Sequence, residues 1–276
     1  MKVKDLLYSV RCRLEKEKVS EAFLNAEHLT SYACGFERKE LFLRLAEDVP
    51  PGASAWLKKA LSLKIKGFPL SWILGDHDFC GLRIKINAGV FTPRPETEEL
   101  AQIVLAESLS LNKPRIMDFC CGSGCISLFI ANKNPQARIL SIDISSRAVS
   151  CARNNASLLG LKNMKVIKKG SLPSKGKFDI LVCNPPYIPE SFLPNLDPEV
   201  RCEPRRALDG GEDGLDMIRY IEKKARFLLK KGGKIYLEFG SGQGAEIKNI
   251  FSSQYVKVSL RRDLQGKERF LEAVNG

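Results

Sequence analysis

The tetrapeptide Asn184-Pro185-Pro186-Tyr187 follows an apolar run from Phe178 to Cys183. These residue types suit one chemical problem. A planar amide or exocyclic amine nitrogen is a poor nucleophile, because its lone pair is delocalised. Both of its hydrogens need acceptors. The side-chain oxygen of Asn184 supplies one and the main-chain carbonyl of Pro185 the other. The fixed φ of two prolines holds that carbonyl in place. Tyr187 offers a flat face for the planar group. A nitrogen held in this way is aimed rather than deprotonated, so positioning does most of the work. A proline turn ending a strand is the plain structural alternative.

A second set lies upstream. Asp118-Phe119-Cys120-Cys121-Gly122-Ser123-Gly124 places glycines where backbone can approach a ligand closely. Asp143 stands 25 residues after Asp118, where an acidic side chain accepts ribose hydroxyls. That spacing suits a dinucleotide or S-adenosyl-L-methionine. The G-x-G-x-x-G fingerprint is absent, since position 127 is Ser127. Cys120, Cys121 and Cys125 have no companion pair and no nearby histidine, so they read as small packing residues and no metal is expected.

Alternating elements must carry these groups. From Pro114 the pattern predicts strands at 115–119, 138–143, 164–168, 178–183, 234–239, 255–261 and 269–274. It predicts helices at 125–132, 146–159, 215–229 and 243–251. This is an α/β chain with a mostly parallel sheet covered on both faces, its ligands beyond the carboxyl ends of the strands. Gly240 to Gly244 reads as a strand-to-helix turn after the fifth of these strands. A helix is expected from Glu96 to about Ser110, after prolines 93 and 95.

Residues 1–74 read as four short helices. Leu6, Leu7, Val10 and Leu14 mark the first, and Ser20 is expected to cap a second carrying Phe23, Ala26 and Leu29. Arg38 to Glu47 is a third, with Leu41, Phe42 and Leu45 inward. Ser54 starts a fourth through Leu57, Ala60, Leu61 and Ile65. Leu82, Ile84 and Ile86 alternate with polar neighbours, the mark of a half-buried strand. A hairpin at 75–95 is therefore expected to link the helical part to a catalytic domain at 96–276.

The chain has 276 residues, 44 of them basic and 32 acidic, for a net charge of +12. No apolar run approaches the ~18 residues of a membrane span, and no membrane association is expected. Nine cysteines without regular spacing point to a reducing cytoplasm. The charge suggests an acidic partner. It divides as +4 over residues 1–75 and +8 over the rest, with no basic block interleaved with aromatics. A stable nucleic-acid complex is therefore not expected.

With the tetrapeptide and the glycine turn, the sequence resembles the class I S-adenosylmethionine-dependent methyltransferases. More closely it resembles the PrmC/HemK family of protein-(glutamine-N5) methyltransferases. Further motifs carry the likeness: Pro93-Arg94-Pro95-Glu96-Thr97-Glu98, Glu203-Pro204, Ala207-Leu208, Gly210-Gly211 and Asp213-Gly214. The resemblance implies a Rossmann-like, seven-stranded sheet with a helical substrate-recognition domain. It implies S-adenosyl-L-methionine as cofactor and, as substrate, the glutamine of the Gly-Gly-Gln loop of class 1 peptide chain release factors. A monomer is expected.

By the same resemblance, Asn184, Pro185 and Tyr187 are the catalytic residues. Pro186, Glu203 and Pro204 join them in the substrate wall. Asp118, Cys120, Cys121, Gly122, Ser123, Gly124, Asp143, Ser171, Leu172 and Asn184 bind the cofactor. The turn departs from the family pattern at Cys120, where glycine is usual. A side chain there is expected to crowd the cofactor or demand a different backbone angle. Ser171 and Leu172 replace the usual acidic or aromatic residue, so mainly main-chain and apolar adenine contacts are expected. Methylation of a ribosomal-protein glutamine, amino-methylation of a nucleic-acid base, and a binding module without catalysis are the alternatives.

Overall fold

The computed structural model describes residues 1–276. In chain order its elements begin with α1 (Val3–Lys16), α2 (Ala22–Cys34), α3 (Ala53–Ile65) and α4 (Leu70–Leu74). A hairpin of β1 (Asp76–Phe79) and β2 (Leu82–Lys85) follows, then α5 (Pro95–Leu109). Next come β3 (Arg115–Phe119), α6 (Cys125–Lys133), β4 (Arg138–Asp143), α7 (Ser146–Leu158) and β5 (Met164–Lys168). After β6 (Phe178–Cys183) come α8 (Pro198–Cys202) and α9 (Asp216–Ala225). The chain closes with β7 (Leu229–Glu238), α10 (Gly244–Ser252), β8 (Lys257–Arg262) and β9 (Glu268–Val274). No helix is long and apolar enough to cross a membrane.

The chain divides into two compact units, Met1–Gly75 with Asp197–Cys202, and Asp76–Leu196 with Glu203–Gly276. In the first, Val3, Leu6, Leu7, Val10 and Leu14 of α1 pack with Ala26, Leu29, Leu57 and Ala60. Three local expectations are corrected here. The helix expected at 38–47 is a 3-10 turn, Arg38–Leu43, and only Leu41 is buried while Phe42 is exposed. The reason is tertiary. The carbonyls of Leu45 and Glu47 accept from the N–H groups of Lys4 and Val3, serving the unpaired start of α1 instead of a helix of their own. The second helix starts at Ala22 after Glu21, not under a Ser20 cap, and its Phe23 is exposed. The helix expected to start at Ser54 begins at Ala53 after Gly52. In the same unit the buried ammonium of Lys64 is ion-paired with Glu199 of α8.

The second unit holds the hairpin, paired antiparallel, and a seven-stranded sheet of order β5-β4-β3-β6-β7-β9-β8. The five strands from β5 to β7 run parallel, and β9 is antiparallel to both β7 and β8. Strand β6 is buried along almost its whole length, which explains its continuous apolar run. Pro95 occupies the first turn of α5, where its missing N–H costs nothing, and Glu96 and Glu98 face the positive end of the helix dipole.

The helix expected to reach Leu229 ends at Ala225, and Leu229 already belongs to β7 opposite Phe178. Asn275 drives this early exit: its Nδ2 donates to the carbonyls of Arg226, Leu229 and Lys230. Short segments at Glu190–Asn195, Pro198–Cys202 and Arg205–Ala207 are helical where no element was expected.

Candidate active site

Cys183 pairs with Phe119 on one side and Leu237 on the other, and Phe119 also pairs with Ile142. These registers bring the carboxyl ends of β3, β4, β6 and β7 to one edge of the sheet. Strand order reverses there between β3 and β6, the place where open α/β sheets hold ligands. Asp143, the 118–124 turn and Asn184–Tyr187 all lie at this edge.

The turn is held from both sides. Cys121 N–H donates to the Ile142 carbonyl at 3.0 Å, and Gly122 N–H to Asp143 Oδ2 at 2.9 Å. Ser145 N–H donates to Asp143 Oδ1 at 2.8 Å. Burial still keeps the Asp143 carboxyl above its ordinary range. Cys120 adopts φ +61°, the left-handed conformation a glycine would take. The different backbone angle expected there is therefore not needed; the cysteine accepts the glycine's. Gly124, at φ +81°, lies where a Cβ would stand 2.9 Å from that of Ala152, so the turn sits tightly on α7.

Cys121 and Cys125 are buried, and burial drives both thiols far above the usual range. Asp118 is 1% exposed, and its Oδ2 accepts from Ser127 Oγ at 2.5 Å. Burial pushes its carboxyl up to about 7. Leu172 is buried and its N–H donates to the Tyr220 hydroxyl at 2.9 Å, while Ser171 is exposed.

The donor set fits a nucleoside carrying an amino acid. A Cβ at Gly122 would meet nothing within 4 Å, so that backbone faces open space. The buried Asp118 Oδ1 has no protein partner, and the buried Ser123 Oγ has none but the weakly accepting Cys125 thiol beside it. The Asp143 carboxylate accepts main-chain N–H groups from Gly122, Ser145 and Ile144 and keeps lone-pair capacity for a ribose hydroxyl.

Around the tetrapeptide, the sequence reading missed three residues. Asn184 Nδ2 donates to Thr97 Oγ1 at 3.0 Å. Thr97 Oγ1 donates to Glu238 Oε2 at 2.7 Å. The Tyr187 hydroxyl donates to Glu238 Oε1 at 3.1 Å. Glu238 is 1% exposed, and burial pushes its carboxyl up to about 7. Gln243, from the 240–244 turn, donates from Nε2 to the Tyr187 carbonyl at 3.0 Å and accepts Gly240 N–H at 2.9 Å. A signal existed for each. Thr97 lies in the Arg-Pro-Glu-Thr-Glu stretch, Glu238 is a carboxylate ending the apolar run 235–237, and Gln243 interrupts a glycine turn.

The downstream motifs brace the same segment. Ile188 N–H donates to the Leu208 carbonyl and Gly210 N–H to that of Ile188, both at 2.9 Å. Gly214, at φ +81°, is a close approach: a Cβ there would stand 2.3 Å from the Tyr187 carbonyl oxygen. Glu203 is buried with both oxygens engaged, by Thr92 N–H at 3.2 Å and by Arg94 at 2.7 Å. Pro204 leads into the turn Arg205–Ala207, and Pro186 is half-buried beside Pro185.

Residues 81–192 match the Methyltransferase small domain family, and residues 5–75 match the PrmC N-terminal domain family. The "Release factor glutamine methyltransferase" of Moorella thermoacetica is 38% identical over 93% of each chain. That of Deinococcus radiodurans is 34% identical over 99% of this chain and 98% of its own. The human "MTRF1L release factor glutamine methyltransferase" is 34% identical over 93% of this chain and 82% of its own. Among solved structures, the catalytic domain of hMettl16 in complex with a MAT2A 3'UTR hairpin has a TM-score of 0.59 at 17% identity. It covers 84% of this chain and 83% of its own, a likeness of fold. The fold is that of the class I methyltransferases, and with full-length relatives above 30% identity the chain belongs to the release factor glutamine methyltransferase family.

Proposed function

We propose that this chain transfers the methyl group of S-adenosyl-L-methionine to the side-chain amide nitrogen of the glutamine in the Gly-Gly-Gln loop of class 1 release factors. One observation carries the site assignment. The Asn184 carboxamide is anchored through its Nδ2 on Thr97, at the carboxyl end of β6 and beside the glycine turn.

A planar carboxamide whose nitrogen faces Thr97 turns its oxygen the other way, as an acceptor for one hydrogen of the substrate amide. The Pro185 carbonyl accepts the second. Tyr187, held by Glu238 at its hydroxyl and by Gln243 at its carbonyl, walls the amide plane. Gly122, Ser123 and Asp143 hold the cofactor, which supplies an electrophilic methyl group when bound. Because that carbon is strongly electrophilic, this chain's residues orient the nitrogen and need no strong base. Residues 1–74 help to grip the release factor, and the enzyme works as a cytoplasmic monomer.

Transfer of tritium from labelled cofactor tests this reading against its rivals. Label should reach release factor and vanish when its loop glutamine is replaced by alanine. Label only on ribosomal protein or DNA would overturn it. Cofactor binding without any transfer would mark the chain as a binding module.

A further inference from the structure

Thr97 and Glu238 take no part in the acceptor pair that holds the substrate nitrogen, yet every polar contact recorded for Asn184 and the Tyr187 hydroxyl leads to them. The hydrogens can be counted. Thr97 has one hydroxyl hydrogen, and Tyr187 has one. Both point to the two oxygens of Glu238. A threonine hydroxyl that has given its hydrogen to a carboxylate can only accept from Asn184. The asparagine must then present its NH₂ to Thr97 and its oxygen to the substrate.

We propose that Thr97 and Glu238 are positioning residues that set the polarity of the Asn184 carboxamide, with ionised Glu238 holding the orientation that accepts from the substrate amide. The inference rests on the proposed function. Protonation of Glu238 would reverse the order: its hydroxyl donates to Thr97, and Thr97 donates onward. Asn184 then satisfies Thr97 with its oxygen and offers the substrate a donor, the wrong polarity for an N–H.

The surroundings make that switch reachable. Glu238 is buried among groups of both signs. Glu96 from α5 raises its carboxyl, while Arg269 from β9 lowers it. Arg269 is itself divided between Asp263, at 3.2 Å, and Glu96, at 4.0 Å. Arg94 acts on the Tyr187 side, and the Cys125 thiol, also buried, stays neutral. Burial outweighs the rest and leaves Glu238 near 7.

Two readouts test the proposal on the full chain with cofactor bound. In single-turnover transfer to release factor, the wild type should lose its rate as pH falls through about 7. Glu238→Gln should lose that acid limb. Thr97→Val should slow the step roughly 10- to 100-fold with cofactor affinity within a few-fold, and Thr97→Ser should restore it.

The second readout needs no substrate. The side-chain NH₂ resonance of Asn184 in a ¹⁵N spectrum should titrate with the same midpoint, and should stop doing so in Glu238→Gln and Thr97→Val. An acid limb or titration that survives in Glu238→Gln would overturn the proposal, as would wild-type turnover in Thr97→Val. A wild type that never labels release factor would end the functional reading alone, because the resonance would still decide the positioning role.

Discussion

Asp143 receives main-chain N–H groups from Gly122 and Ser145, so its carboxylate is fixed before any ligand arrives. Under the proposed function, replacing it by alanine would remove charge-assisted bonds to the ribose. The cofactor dissociation constant should rise roughly 10- to 100-fold by titration calorimetry, with the transfer step at saturation within a few-fold. Cys120 makes the opposite kind of contribution. At φ +61° it sits where an L side chain is disfavoured. Cys120→Gly should relieve that strain, partly offset by the freer unfolded chain. Loss of a thiol packed against the sheet core opposes that gain, so stability should stay within about 1 kcal/mol in denaturant unfolding, while cofactor affinity should rise as the crowding is relieved. Asn184 to Tyr187 and Gly122 to Gly124 were legible as candidates, because their signal lies in neighbouring positions. Thr97, Glu238 and Gln243 left a signal in the sequence but not their partners, because they reach Asn184 and Tyr187 only after distant strands and helices pack together.

At the scale of elements, the strands and helices that carry the site followed their periodicities closely, and β3, β4, β5 and β6 begin and end where the pattern puts them. The failures share a cause. At 44–49 the chain leaves a helical pattern to serve the free end of α1, and at 226–230 the Asn275 side chain claims the carbonyls a longer helix would need. In both places a partner far along the sequence won over local preference. The Arg94–Glu203 pair has the same character, fastening the segment before α5 to the region after α8. Arg94→Ala would leave a buried carboxylate held by Thr92 alone, with no opposing charge. It should cost about 2–4 kcal/mol, seen as a lowered melting temperature. Adding Glu203→Gln should recover part of that loss, because the unpaired charge is gone.

For the whole molecule, the +12 charge divides as +4 over residues 1–75 and +8 over the rest. The sequence changes from purely helical to alternating patterns near residue 75, and the two compact units meet along the chain at Gly75 and Asp76. Two details of that division carry no such signal. The hairpin groups with the sheet unit, and Asp197–Cys202 groups with the helical unit, where Glu199 neutralises buried Lys64. No local periodicity announces a six-residue segment that joins another unit. Tandem mass spectrometry of release factor after incubation with enzyme and cofactor reads out what Asn184 does for a glutamine nitrogen. The wild type should place one methyl group on the side-chain nitrogen of the loop glutamine. Asn184→Ala, with cofactor affinity within a few-fold, should leave that site unmodified at matched times, a loss of roughly 100-fold or more. A methyl group on any other residue, or equal modification by Asn184→Ala, would rule out Asn184 as the group that orients the glutamine nitrogen.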